Sequence, residues 1–227
     1  MLGSSAYAQK KKYSGTNLQK FDTRWYHFGF LLGYNNSDLY IDKRLNFSPS
    51  DSLLSIETDS KPGFNLGIVT SLNLTKNISI RFIPTLSFQD RLVNYTFSTT
   101  SGKNQLFAKK LESTNILFPI DLKLRTNRIN NFAAYILLGG NYSIDMQSQK
   151  DVSNKISKDI VLKMQKNNYN AEFGGGFDFF LEYFKFGIEM KVEQGIPNIV
   201  VRDNSIFSNP IDRLRSRTFV LTFTFEG

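Results

Sequence analysis

The stretch Phe184 to Gln194 reads FKFGIEMKVEQ, and its alternation decides the fold. Phe184, Phe186, Ile188, Met190 and Val192 take every second position, with Lys185, Glu189, Lys191 and Glu193 between them. Successive side chains of a β-strand point to opposite faces, so this segment is a strand with one apolar and one charged face. A helix would scatter the same residues around its axis and leave no apolar stripe.

The same period of two recurs on both sides of this stretch. Tyr26, Phe28, Phe30, Leu32 and Tyr34 alternate with His27, Gly29 and Gly33 in a strand from Trp25 to Tyr34. Phe64, Leu66, Ile68, Leu72 and Leu74 oppose Asn65, Gly67, Ser71 and Asn73, and Ile78, Ile80, Phe82, Leu86 and Phe88 oppose Ser79, Arg81, Thr85 and Ser87. Further strands are predicted over Thr114 to Leu124, Phe132 to Met146 and Tyr169 to Leu181, and the chain closes on Phe219, Leu221, Phe223 and Phe225. Strands near ten residues suit a tilted bilayer crossing.

The connections alternate as strictly as the side chains. Long segments are expected at Asn35 to Gly63, Arg91 to Ser113, Gln147 to Asn168 and Gly195 to Ser216, and short ones at Thr75 to Asn77, Arg125 to Asn131 and Glu182 to Tyr183. Outer-membrane barrels join strands by short periplasmic turns and long extracellular loops. The expected fold is therefore all-β, an eight-stranded antiparallel up-and-down transmembrane β-barrel with both termini in the periplasm of a bacterial outer membrane.

Composition agrees without deciding the matter. The 227 residues fit one domain. A mean hydropathy of -0.28 and the lack of any run of roughly 20 apolar residues exclude a helical membrane protein. A barrel escapes that test, because each of its strands is only half apolar. Aromatic residues at 14% suit girdles at the two membrane interfaces. The net charge of +8 sits in tails and connections, at Lys10, Lys11, Lys12 and Lys20 and again between later strands, which argues against a nucleic-acid partner. Ala6-Tyr7-Ala8 before Gln9 has the small-x-small pattern of a signal-peptidase site. Residues 1–8 are then the remaining end of a signal peptide, 9–24 a periplasmic tail, and 25–227 the barrel.

Alternation alone allows the apolar face to point outward to lipid or inward to a soluble, lipocalin-like core. The opposite face favours the first reading, since it mixes small residues (Gly67, Gly174, Gly176, Ala133) with charges of both signs. An eight-stranded barrel is just wide enough for side chains to fill. Arg81, Lys123, Lys185 and Lys191 are expected to pair inside with Asp121, Asp145, Glu172, Asp178, Glu189 and Glu193, giving a closed, side-chain-filled lumen and no pore.

Catalytic chemistry finds few carriers. His27 is the only histidine and cysteine is absent, which leaves no thiol nucleophile and no convergent His or Cys set for a metal. A Ser-His-Asp site would need a histidine near the outer rim, whereas His27 belongs to the periplasmic end. Glu189 and Glu193 lie beside Lys185 and Lys191 on one face, where ion pairing explains them better than acid-base work. Gly174-Gly175-Gly176 lacks the helix and Lys-Ser/Thr of a phosphate loop and marks close packing in the wall. No enzyme activity, cofactor or small-molecule substrate is expected.

Five blocks carry a family resemblance: NLQKFDTRWYHFGFLLGYN (Asn17 to Asn35), PGFNLGIV (Pro62 to Val69), ESTNILFPIDLKLRTNRINNF (Glu112 to Phe132), FDFFLEYFKFGIEMK (Phe177 to Lys191) and FVLTFTFE (Phe219 to Glu226). In order and spacing they resemble the PorT (SprT) family of the type IX secretion and gliding machinery. The resemblance implies an outer-membrane component needed to export proteins bearing a conserved C-terminal signal domain, and no catalytic residues. The alternating Phe219, Leu221, Phe223 and Phe225 resemble the C-terminal signal read by the barrel-assembly machinery, with Glu226 and Gly227 as a departure. The family has been called a translocating porin, which a filled lumen opposes, so an accessory role through protein partners is expected. Lys10, Lys11, Lys12, Lys20 and Phe21 are the candidate periplasmic partner contacts. A generic structural or adhesive outer-membrane barrel is the alternative.

Overall fold

The structure, a computed structural model, describes residues 17–43, 53–98, 104–147, 164–201 and 211–227. A short 3-10 turn, Phe21–Thr23, precedes strands β1 (Tyr26–Lys43), β2 (Leu53–Asn73), β3 (Ile78–Phe82), β4 (Thr85–Ser98) and β5 (Asn104–Arg125). β6 (Phe132–Asp145), β7 (Asn167–Phe180), β8 (Lys185–Gly195) and β9 (Ile211–Glu226) complete the sheet. Neighbours in sequence pair antiparallel, and β1 also pairs with β9 from Gly29 opposite Glu226 to Lys43 opposite Ile211, which closes the ring.

β3 and β4 are one strand of that ring. Phe82 faces Thr70 of β2 and Ile120 of β5, and Thr85 faces Gly67 and Leu117, so the register crosses Ile83 and Pro84 without a shift. Pro84 has no amide to give the ladder, and this alone divides the strand. Its carbonyl still accepts the Ile68 amide at 3.0 Å. The wall therefore has eight strands, in the up-and-down order expected from the alternation.

Side chains sort by the pleat. Phe28, Phe30, Leu66, Ile68, Ile120, Phe173, Phe177 and Met190 lie on the outside, Ile68 at 63% exposure, while Arg81, Asp121, Asp178 and Glu189 are shut inside at 0%. The apolar face points out, which rules out the soluble, lipocalin-like arrangement: the interior is the polar side. Aromatic rings stack across neighbouring strands on the outer face, Phe30 on Phe225 at 4.7 Å and Phe64 on Phe88 at 4.4 Å between centroids.

The wall runs well past this band at the end far from the termini, hereafter the distal end. Of the segments expected as long loops, Asn35–Lys43, Leu53–Gly63, Arg91–Ser98, Asn104–Ser113 and Ile211–Ser216 are paired strand. Within the same segments Asn167 and Asn168 begin β7, Gly195 ends β8, and Met164 bridges to Val200, while residues 44–52, 99–103, 148–163 and 202–210 lie outside the described residues. The cause is an inversion of the pattern. In the distal part the inward residues become apolar, with Leu39, Ile56, Val93, Tyr95, Ile211 and Leu214 packing on Ile199 and Val200, and the outward ones become mostly polar, with Tyr40 and Leu106 among the apolar exceptions. A reading keyed to a lipid-facing apolar row stops where that phase flips.

A charge placed on the middle of the outer band tests this arrangement. Ile68→Arg is expected to destabilise the folded barrel by about 2–4 kcal/mol, measured by urea titration of its heat-modifiable migration in lipid vesicles. Glu57→Arg, on the exposed distal part of the same strand, is expected to change stability by less than about 0.5 kcal/mol.

Candidate functional site: the charged lumen and its proximal plug

Inward positions of β3, β5, β7, β8 and β9 converge in the half of the lumen nearest the termini. Arg81 Nη1 donates to Glu189 Oε2 at 2.7 Å, and the Tyr135 hydroxyl donates to the same oxygen at 3.1 Å. Lys123 Nζ lies 2.8 Å from Asp178 Oδ2 and 3.6 Å from the centroid of the Tyr135 ring. Lys185 Nζ contacts Glu226 Oε2 at 2.8 Å and Asp178 at 3.9 Å, and Lys191 Nζ contacts Glu172 at 3.0 Å, Asp121 at 3.4 Å and Glu189 at 3.8 Å. Four cations are thus interleaved with five carboxylates, and the links span the interior from one wall to another.

Glycine makes room for these long side chains. A Cβ at Gly139 would overlap the Asp121 carboxylate, and one at Gly176 would sit 2.7 Å from the Tyr135 hydroxyl oxygen. Gly176 is part of the triple glycine, whose role is close approach within the wall. Distal to the network, Arg91 donates to Ser37 Oγ at 2.9 Å and Gln89 Oε1 at 2.6 Å. A chamber of about 40 Å³ lined by Arg91, Asn115, Asp145, Glu193 and Ser216 lies beside it, room for a few waters.

The residues expected to pair inside do not all do so. Asp145 is only half-buried and accepts from Ser113 Oγ at 3.3 Å and from the Gln147 amide at 2.9 Å; it lies toward the distal end of β6, away from the four cations. Glu193 is buried at the distal edge of the network, and among the described residues it makes no ion pair. Glu226, Tyr135 and Arg91 were missed. Glu226 follows outward Phe225 by one residue, and this parity places it on the inner face although it departs from a C-terminal signal. Phe219, Leu221, Phe223 and Phe225 lie on the outer face of β9, where Phe223 stacks on Phe186 at 6.1 Å.

The tail packs into the proximal mouth. Phe21 turns into the barrel and stacks on His27 with centroids 3.6 Å apart, meets Phe180 edge-on at 5.8 Å, and has Lys185 Nζ 4.9 Å from its ring. Asp22 Oδ1 accepts from Arg125 at 2.7 Å, and its other oxygen lies 3.6 Å from Arg128. Arg128 also sits 3.8 Å over the Phe180 ring and donates to the Asn17 carbonyl. Burial beneath the tail lowers the pKa of its guanidinium, with Asp22 opposing that shift. Asn17 donates its amide to Asn131 Oδ1 at 2.7 Å and Nδ2 to the Phe180 carbonyl at 3.0 Å. Asn130 supplies the left-handed residue of the β5–β6 turn, with φ of 54°.

This placement corrects one expectation. Phe21, expected as a periplasmic partner contact, is buried in the mouth, because its ring finds apolar and aromatic neighbours there. Lys20 is exposed beside it, and Lys10, Lys11 and Lys12 lie outside the described residues, as does the Ala6-Tyr7-Ala8 site. His27 faces the lumen at the proximal end and serves as the floor on which Phe21 rests.

Removing one partner of a buried pair leaves an uncompensated charge. Arg81→Met is expected to cost about 3–5 kcal/mol of stability, and Arg81→Met combined with Glu189→Met to recover most of that loss. Urea unfolding of the single and double variants in lipid vesicles measures both, and equal losses would disprove the coupling.

Comparison with known proteins adds the following. The family model described as "Outer membrane protein beta-barrel domain" matches residues 7–201. Among curated proteins none matches the chain. Among solved structures it is similar to the outer membrane protein OprG from Pseudomonas aeruginosa, at 15% identity over 89% of this chain and 94% of that one, with a TM-score of 0.45. Ail, the attachment invasion locus protein of Yersinia pestis, is 14% identical over 88% of this chain and 98% of that one, with a TM-score of 0.38. The outer membrane protein AlkL, solved in lipid bilayers, is 11% identical over 100% and 95%, with a TM-score of 0.45. The family match runs from the tail across the wall through β8, and this chain belongs to that family of outer-membrane β-barrels.

Proposed function

We propose that this chain is a non-enzymatic accessory component of the type IX protein secretion and gliding machinery, acting through protein partners and not as a pore. The observation that carries the reading is the set of ion pairs across the lumen. Arg81 and Glu189, Lys123 and Asp178, and Lys191 with Asp121 bridge the interior, and Phe21 occupies the proximal mouth. A polypeptide in transit would have to displace each of these. The resemblance of the five sequence blocks to the PorT family supports the choice of secretion system. The short turns support a periplasmic position for both termini, which puts the tail and exposed Lys20 within reach of periplasmic components.

A generic structural or adhesive barrel is the second reading, favoured by the distal sheet, which stands clear of the lipid-facing band and carries its own apolar core. One deletion strain separates the two. Under the secretion reading, export of cargo with the C-terminal signal domain is lost and type IX components accompany the tagged barrel through purification in mild detergent. Normal export with altered surface attachment would favour the second reading and sink the first. The purified barrel is expected to show no sustained single-channel conductance in planar bilayers, and steady conductance would refute the non-pore role.

A further inference from the structure

The outward face of β9 changes character abruptly along its length. Phe225, Phe223, Leu221 and Phe219 face lipid, and the next three outward positions are Arg217, Arg215 and Arg213. Alternate residues of a strand stand about 7 Å apart, so the three guanidiniums form a row that begins at the distal edge of the apolar band. Arg217 and Arg213 are exposed, and Arg215 is partly buried between them. Tyr40 of β1, directly opposite Arg215 and 52% exposed, lies 5.8 Å from the Arg217 guanidinium and sets an aromatic ring at the same level.

Among the described residues, little of their hydrogen-bonding capacity is engaged. Arg217 Nε donates to Gln194 Oε1 at 2.9 Å, which holds that side chain against β8. Arg215 Nε is buried and has no acceptor among the described residues. Asp38 and Asp42 stand opposite Arg217 and Arg213 on β1, but the Asp38 carboxylate turns back to accept the Leu39 amide at 2.7 Å. On the outer face of β2, Glu57 and Asp59 are exposed, and Lys61 is exposed beside them. The three arginines take consecutive outward positions of β9, at the level of the outer-leaflet headgroups if the distal end faces outside.

We infer that Arg213, Arg215 and Arg217 form a binding site for the phosphate groups of a phosphorylated glycolipid in the outer leaflet. A guanidinium offers a planar fork of donors that matches phosphate geometry, and such charge-assisted bonds are the strong ones. A headgroup with phosphates at more than one position can engage the row at more than one point while its acyl chains lie along Phe219, Leu221 and Phe223. The inference goes beyond the secretion role and rests only on the proposed orientation, with the distal end outside.

The test uses the purified full-length barrel in detergent, with lipid A and enzymatically dephosphorylated lipid A as probes. The native barrel is expected to bind lipid A roughly tenfold more tightly than the dephosphorylated form. Arg213→Gln, Arg215→Gln and Arg217→Gln combined are expected to abolish that preference, while Lys76→Gln in a proximal turn retains it. Heat-modifiable migration verifies that every variant is folded. Equal binding of the two lipids by the native barrel, an undiminished preference in the triple variant, or an equal loss in Lys76→Gln would overturn the assignment. Orientation is read separately: Asn94→Cys, the sole cysteine of that variant, is expected to react with a membrane-impermeant maleimide on intact cells. Failure to react would overturn the orientation and the assignment together, whereas labelling without phosphate-dependent binding would overturn the lipid site alone.

Discussion

The constraint on which everything else rests is that no backbone N–H or C=O can be left unpaired in hydrocarbon. An open sheet crossing a membrane would expose two bare edges, and the long pairing of β1 with β9 removes both. Closure with eight strands sets the radius, and the radius sets the interior, which is wide enough for side chains and little more. The cross-lumen ties follow from that width. Arg81 reaches Glu189 and Lys191 reaches Asp121 between strands that are not neighbours in the ring.

Charges in so narrow a space are not there for stability alone. A buried ion pair roughly balances its desolvation against its attraction, and an apolar interior of equal volume would serve as well or better energetically. In a membrane wall, however, a strand that is apolar on both faces has lost the information that says which face is which. A slip of one residue turns every side chain over. With Lys185, Glu189 and Lys191 on one face of β8, such a slip would drive several charges into lipid, a penalty of a few kcal/mol each. The ionic lumen thus fixes register, and the glycines at 139 and 176 are the complement that lets the long side chains lie across the barrel.

This logic explains what was legible in the sequence and what was not. Every strand of the lipid-facing band could be read from period two, because there the two faces differ as much as side chains can. The distal halves of β1, β2, β4, β5 and β9 escaped, since their alternation runs in the opposite phase: Leu39, Ile56, Val93 and Tyr95 point inward, and Asp38, Glu57 and Asn94 outward. Read as a continuation of the lipid-facing row these segments look irregular; read from the inside they are as regular as the rest. Glu226 was hidden by a different cause, its place near the chain end, where parity with Phe225 was outweighed by the expected terminal signal. The ion-pair partners could be assigned to the lumen as a set from their face, but which carboxylate meets which cation depends on how the ring brings non-adjacent strands together, and no single strand encodes that. Phe21 was illegible for the same reason, as its neighbours His27, Phe180, Arg125 and Arg128 are gathered by closure alone.

The plug therefore depends on closure as the lumen does. Phe21 rests on β1 at one side of the mouth and on the end of β7 at the other, while Asp22 is gripped from the β5–β6 turn. An open or misregistered ring would lack this set of contacts, since they come from β1, β5, the β5–β6 turn and the end of β7.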